Sequence, residues 1–575
     1  MAEMTTTTRD TSRPQRGRGL LALLDFARES HTRSALFLVA FCLVAFLPGF
    51  FQIPPVDRDE SRFAQATKQM VESGDYVDIR FQSEVRYKKP VGIYWLQAGA
   101  VKLGEKLGVP QAHTTIWLYR IPSLLGAIGS VLLTYWAALA FASRRAAVLA
   151  AVMMAASILL GVEARLAKTD AMQLLVSVAA LGAMARLYLS EHRPGAADSG
   201  WKLPAIFWTA VAGGVLLKGP LILMLVGLPA ATLAVLDRSA GWLRKLRPIP
   251  GILWVVVLVL PWFVAILMRS GDTFFAESLG KDLLAKVASA QESHGAPPGY
   301  YLALFWVTFW PAAPLVLLAA RAVWLIRREP GPRFLLAWII PAWIVLEAVV
   351  TKLPHYVLPL YPAIAILTAG ALDSGVLSRN RWLVRGTSGW FVVPLVLCLA
   401  AIVGQIYVGH QFDLLPWPFA AAAMIMGLLA WWLYEGDGAE RSLMRAAVAS
   451  VLIAGTLYGL IFPSMTSLFP SVTLAEAQRE AGCPAPASAS AGYQEPSLVF
   501  LAGTNTLLSD AADAADFLRQ APCRFAFIES RQERAFARRA EAIGLRYTQG
   551  PRIEAFNISG GRAITIAVFR SEPAQ

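Results

Sequence analysis

Long apolar runs recur almost from one end of this sequence to the other, and a run of roughly 17 to 25 apolar residues is the length that crosses a bilayer as a helix. Thirteen such runs are readable, starting near Ser34, Trp117, Ala146, Thr169, Leu203, Pro220, Pro250, Tyr300, Phe334, Tyr356, Trp390, Pro416 and Ala446. The 575 residues are 56% hydrophobic and 16% charged, with a mean hydropathy of +0.51. A soluble fold has no interior large enough for that much apolar surface, so the surplus must face lipid. The expectation is an all-α polytopic membrane protein with about thirteen transmembrane helices.

An odd number of spans puts the two termini on opposite sides, and the charges between the runs orient them. The first 30 residues are polar and basic, with Arg9, Arg13, Arg16 and Arg18, and read as a cytoplasmic tail rather than a cleaved signal. Alternate connections are then basic: Arg144-Arg145, Arg193 to Lys202, Arg238 to Arg247, Arg321 to Arg333, Arg379 to Arg385, and Arg441 with Arg445. The chain accordingly divides into a basic cytoplasmic tail (1–33), a transmembrane domain (34–464) with long outward loops at 52–115 and 269–299, and a soluble outward domain (465–575). The net charge of +13 falls between apolar runs, where topology and anionic membrane lipids account for it better than nucleic acid does.

The last domain opens with a Pro/Ala/Ser-rich stretch from Cys483 to Gly492, a linker composition. Strand patterns at Ser497 to Leu501, Arg524 to Ile528 and Ala563 to Phe569 alternate with helical ones at Asp510 to Gln520 and Arg531 to Gly544. That alternation suggests a small α/β module. Cys42 and Cys398 lie inside apolar runs and read as packing residues. Cys483 and Cys523 are in the polar domain, where a disulfide forms if that domain faces an oxidising compartment.

The first outward loop carries the densest charge of the membrane half: Asp57-Arg58-Asp59-Glu60-Ser61-Arg62, then Arg86-Tyr87-Lys88-Lys89-Pro90. These cations lie on the side where the positive-inside trend disfavours them. Arg165 and Lys168 near Asp170, Lys218 in Leu-Lys-Gly-Pro, and Lys352 in Lys-Leu-Pro-His-Tyr are further exceptions, all at outer helix ends. If they converge, Lys and Arg mixed with carboxylates suit a phosphate-bearing ligand. The plainer reading is that each cation snorkels to headgroups on its own. Asp59 and Glu60 leave a similar choice open: general base, ligand for a cationic substrate group or metal, or a helix cap paired with Arg62.

In chain order, Asp59-Glu60-Ser61-Arg62-Phe63, Glu72-Ser-Gly-Asp75-Tyr, Arg86-Tyr87-Lys88-Lys89-Pro90, Leu166-Ala-Lys-Thr-Asp170, Leu217-Lys218-Gly219-Pro220 and Lys352-Leu-Pro-His355-Tyr356 form a set. In this set the chain resembles the GT-C glycosyltransferases that use polyprenyl-phosphate sugars, and is most similar to the bacterial aminoarabinose transferases that modify lipid A. The likeness is close over about residues 34 to 370. It implies a GT-C fold with first-loop helices along the periplasmic surface. It also implies an inner-membrane enzyme that moves aminoarabinose from undecaprenyl phosphate to a lipid A phosphate, a modification that protects against polymyxin and other cationic peptides.

By motif position, Asp59 matches the family's essential acid, with Asp170 and Lys89 beside it as catalytic residues. Arg58, Arg62, Arg86, Tyr87, Lys88, Lys218, Lys352, His355 and Tyr356 are the substrate-binding candidates. Where the family carries an acid before Lys-Pro, this chain has Lys88, a difference that bears on the sugar. No cluster has strong metal-ligand spacing, and a monophosphate donor needs no cofactor. A divalent ion between Glu84 and His294, one in each long loop, is the alternative. The expected enzyme is a monomer. Rival readings are a polyprenyl-phosphate-mannose protein O-mannosyltransferase and a lipid transporter; ionisable groups at outer helix ends rather than mid-membrane speak against the transporter.

Overall fold

The computed structural model describes residues 20–192, 200–271, 273–277, 295–409 and 413–572. Each apolar run is helical. Seven helices among the described residues are long and apolar enough to cross a membrane, and an eighth is made by Tyr300–Thr308 and Ala313–Leu325, bent by 117°. His31–Phe46, Leu221–Leu236 and Pro416–Trp432 are shorter apolar helices.

The bundle is organised around Arg144–Ala156, whose residues from Ala146 to Ala156 are all buried. Its alanines let neighbouring backbones approach closely, the usual way for helices to pack in lipid, where the hydrophobic effect gives no drive between them. By contrast, Pro248–Ser270 exposes Ile249, Ile252, Leu253, Val257 and Leu260, side chains whose natural solvent is the acyl chain. The central helix stops at Ser157, where the backbone turns extended, and restarts as Ile158–Glu163. That break delivers a polar turn to one end of the bundle.

The first long loop is built on two helices, Asp59–Ser73 and Gly92–Lys106, with a small antiparallel hairpin β1 (Arg80–Phe81) and β2 (Glu84–Val85) between them. Asp59 and Glu60 occupy the first turn of the former, where acids complement the exposed N–H groups. Gly74 closes it at φ +71°, donating its N–H to Met70 O.

The C-terminal domain is a five-stranded mixed sheet in the order β4–β3–β5–β7–β6, with β3 Ala487–Ala491, β4 Leu507–Ser509, β5 Arg524–Glu529, β6 Tyr547–Asn557 and β7 Arg562–Ser571. The pairs β3/β4 and β3/β5 are parallel, and β5/β7 and β6/β7 antiparallel. Two sequence expectations change here. The linker-like Ala-Ser-Ala-Ser-Ala is an inner strand, its Ser488 and Ser490 buried but bonded to Thr506 Oγ1 and Tyr493 O. Small side chains let the neighbouring helix Ala511–Arg519 pack closely, and they also erase the β-branched signature of a strand. Ser497 to Leu501, patterned as a strand, lies in the helix Pro496–Ala502. Its N-terminus is satisfied from the first loop, as Ser497 N–H and Oγ–H donate to the Asp57 carboxylate at 2.8 and 2.7 Å. Cys483 and Cys523 are disulfide-bonded, with Cα atoms 5.8 Å apart.

This domain sits on the first loop. Lys68 Nζ donates to Phe500 O at 2.8 Å, Gln65 to Thr504 at 3.0 Å, and Gln82 to Thr506 O at 2.6 Å. Thr504 donates to Glu72 at 2.7 Å, and the Tyr119 and Phe500 rings meet edge to face. The helix that begins with Asp59 is thereby held between the membrane bundle and the soluble domain.

Candidate active site

The polar turn after Ile158–Glu163 runs through Lys168 into Asp170, the first residue of Asp170–Glu191. Glu163 and Asp170 flank it, both buried although ionisable. Two other elements end at the same place. Lys202–Lys218 finishes on Lys218, and Gly219, at φ +67°, turns the chain away immediately afterwards. The Pro354–Leu360 turn brings His355 and Tyr356.

These side chains converge. Lys218 Nζ donates to Asp170 Oδ1 at 2.5 Å, and Lys168 Nζ to Glu163 Oε1 at 3.0 Å, with Asp170 Oδ2 3.9 Å away. His355 Nδ1 lies 3.6 Å from Glu163 Oε1, and its Nε2 3.6 Å from Asp170 Oδ1. Lys218 also stands over the Tyr356 ring, 5.2 Å from its centroid. Asp59 is close enough for its charge to act on Lys168, and Lys89 close enough to act on His355. Clustered ionisable groups at membrane helix ends are costly to maintain and mark function rather than packing. The arrangement is also matched in charge: Asp59, Glu163 and Asp170 against Lys89, Lys168 and Lys218.

The two adjacent first-loop acids part company. Asp59 is exposed. Glu60 is buried and consumed by structure: Arg120 Nε and Nη2 grip its two oxygens at 2.8 Å each, and it also accepts from Val56 N–H and Ala167 N–H. The remaining Arg120 donors go to Phe50, Ile53 and Pro54 carbonyls. A buried pair with every lone pair and proton used locks the first loop onto the bundle beside the cluster. Glu60 is therefore a fastener, and Asp59 the acid left facing outward.

Other sequence candidates divide by position. Lys89 Nζ donates to Lys88 O at 2.8 Å, and Lys88 itself is exposed. Arg62 is half-buried on the Asp59 helix. Arg86 is buried, its guanidinium 5.2 Å from the Phe63 ring centroid. Tyr87 is buried, its hydroxyl donating to Asp78 at 2.7 Å; burial, then that bond, pushes its pKa up to about 12. Arg58 turns to the soluble domain, 3.7 Å from Glu495. Lys352 is drawn away from the carboxylates: its Nζ donates to Ala296 O at 2.9 Å and Val349 O at 2.7 Å, tying the second loop to the bundle. Arg165 points the other way from Lys168, donating to Ala45, Pro48 and Gly161 carbonyls and so capping His31–Phe46. Glu84 lies on the exposed β2, and His294 falls outside the described residues.

Sequence reasoning counted Lys168 among the cations that could converge and left Glu60 open between base, ligand and cap, but gave Arg120 and Glu163 no place in the site. For Glu163 the signal was present: an acid five residues before Lys168 inside otherwise apolar sequence, beside the Thr-Asp motif.

The family model for dolichyl-phosphate-mannose-protein mannosyltransferase matches residues 30–272, which hold Asp59, Lys89, Glu163, Asp170 and Lys218. The undecaprenyl phosphate-α-4-amino-4-deoxy-L-arabinose arabinosyl transferase of Pectobacterium carotovorum is 28% identical over 431 residues, 74% of this chain and 73% of that one. Its counterpart in Pseudomonas aeruginosa is 27% identical over 443 residues, covering 74% and 75%. Among solved structures, ArnT from Cupriavidus metallidurans bound to undecaprenyl phosphate superposes with a TM-score of 0.70 at 20% identity, over 94% of this chain and 98% of that one. The fold is thus that of a multi-pass membrane protein of the GT-C class, and the chain is similar to glycosyltransferases over the region that holds the site. Within that class the chain is similar, over about three quarters of its length, to the aminoarabinose transferases that use an undecaprenyl-phosphate sugar.

Proposed function

We propose that the protein transfers 4-amino-4-deoxy-L-arabinose from undecaprenyl phosphate to a phosphate group of lipid A. The observation that carries this reading is the convergence of Lys89, Lys168 and Lys218 with Asp59 and Asp170 at the outer helix ends, in a chain whose relatives are named for arabinosyl transfer from that donor. The alternating basic connections support a cytoplasmic N-terminus, with the site and the soluble domain on the periplasmic face of a bacterial inner membrane. The protein acts as a monomer on two lipids, and the modification confers resistance to cationic peptides.

The chemistry follows from the charges. An acceptor phosphate oxygen is already anionic, so no proton has to be removed before it attacks the anomeric carbon. As the new bond forms, the bond from that carbon to the donor phosphate breaks, and its electron pair leaves with undecaprenyl phosphate. A single displacement of this kind inverts the anomeric centre. The barrier lies in bringing two phosphates together and in the positive charge that grows on the sugar. Lys89 and Lys218 neutralise the phosphates, Asp170 orients Lys218, and the exposed Asp59 faces the sugar's positive charge.

The family-model match favours a second reading, mannose transfer to a protein hydroxyl, in which Asp59 becomes a general base. Cells lacking their own transferase, complemented with this chain or its Asp59→Ala form, separate the two. Aminoarabinose added to lipid A by wild type alone, read by mass spectrometry, supports the first reading. A normally inserted wild type that leaves lipid A unchanged but glycosylates proteins establishes the second.

A further inference from the structure

Glu163, Asp170 and His355 each place one ligand-type atom at a common centre, all within 4.8 Å of one another. Two carboxylates and an imidazole at that spacing form a donor set for a divalent ion. Glu163 Oε2 is buried and has no hydrogen-bond partner among the described residues, so the cage contains an acceptor that those groups leave unused. Yet a cation already stands in it. Lys168 Nζ is 3.0 Å from Glu163 Oε1 and 3.9 Å from Asp170 Oδ2, while Lys218 takes the other Asp170 oxygen at 2.5 Å. Two ammonium groups already balance the two acids. A divalent ion added to them would leave a surplus of buried positive charge, which is costly without further anions.

We infer that Lys168 is the resident cation of this cage, its ammonium standing where a divalent ion would otherwise bind. It is a positioning residue: it keeps Glu163 and Asp170 at a fixed separation, leaves Asp170 aligned on Lys218, and presents its positive charge toward Asp59. His355, 3.6 Å from both acids, closes the cage without donating a short bond to either. The inference rests on the glycosyl-transfer reading for its consequence, that the reaction needs no added metal. The cage itself is testable without any turnover.

The experiment uses the purified full-length protein and its Lys168→Ala form, with Mn2+ as the probe. Wild type should bind no Mn2+ at the cage by electron paramagnetic resonance, and its transfer rate should be unchanged by chelator. Lys168→Ala should bind Mn2+ near one equivalent, lose about a hundredfold in turnover in chelator, and regain about tenfold when Mn2+ is added. Removal of a merely structural lysine would not create a metal-dependent rate. A divalent ion in wild type that is lost in Asp170→Asn, or wild-type turnover abolished by chelator and restored by Mn2+, overturns the inference. So does a folded Lys168→Ala that binds no Mn2+. If that variant does not fold, the wild-type chelation and metal-content measurements decide alone. Should no donor be consumed under any condition, the transfer reading fails while the Mn2+ titrations still judge the cage.

Discussion

Asp57→Asn should make the junction between the first loop and the soluble domain insensitive to pH. The half-buried Asp57 carboxylate packs against Ser497, and its pKa rises from the ordinary 3.8 to about 7, first through desolvation and further through Glu495, against the lowering effect of Ser497 and Arg58. Tyr493, itself buried, faces the same spot through Ser497 and Ser471. A raised carboxyl pKa means that the docked state holds the proton more tightly than the undocked one. Docking is therefore strongest in acid and weakens as pH rises from about 4 to about 7, after which the loss is constant. A shift of about three units corresponds to about 4 kcal/mol between these limits. Asn keeps an acceptor for the Ser497 N–H and offers Ser497 Oγ a donor, so the substitution removes the charge and little else. Thermal unfolding of the detergent-solubilised protein across pH 5 to 8 reads the effect. Wild type should lose stability from pH 5 to about 7 and then level off, while Asp57→Asn stays level throughout and matches or exceeds wild type above neutrality. A variant with the wild-type slope, or one clearly less stable than wild type above neutrality, would refute the reasoning.

Three further substitutions probe the separate roles of the charges. Arg120→Met strands the Glu60 carboxylate in a buried site and should cost about 3–5 kcal/mol, seen as a collapse of thermal stability; adding Glu60→Gln should recover part of it. Asp170→Asn leaves Lys218 without its charged partner and should lower transfer by about a hundredfold while the folded yield stays normal, measured as product lipid per enzyme. Lys352→Met should behave in the opposite way, with a lower unfolding temperature and near-normal turnover, because that lysine binds the Ala296 and Val349 carbonyls.

The apolar runs declared the membrane half because bilayer thickness imposes a length that ordinary sequence seldom meets by chance. The outer-end cations were legible for a related reason: charge in such a context has few innocent explanations. Sequence could not say which charges meet. Lys168 and Arg165 are three residues apart, yet one joins the carboxylate cluster and the other caps a neighbouring helix. Asp59 and Glu60 are adjacent, and only the Arg120 partner, 60 residues on from Glu60, tells them apart. In the soluble domain the strand at Ala487–Ala491 was hidden by its lack of bulk. The helix at Pro496–Ala502 was hidden because its cap comes from Asp57, far away in the chain. Each miss is a tertiary contact overriding a local pattern.

The central claim is that the cluster around Asp59 and Asp170 transfers aminoarabinose between two lipids. Its most direct test is a reconstitution of the purified protein with undecaprenyl-phosphate aminoarabinose and lipid A, following both products by mass spectrometry. The account predicts free undecaprenyl phosphate and arabinosylated lipid A in equal amounts, with both lost in Asp59→Ala. Donor cleavage without sugar on lipid A, or full activity in Asp59→Ala, would contradict it.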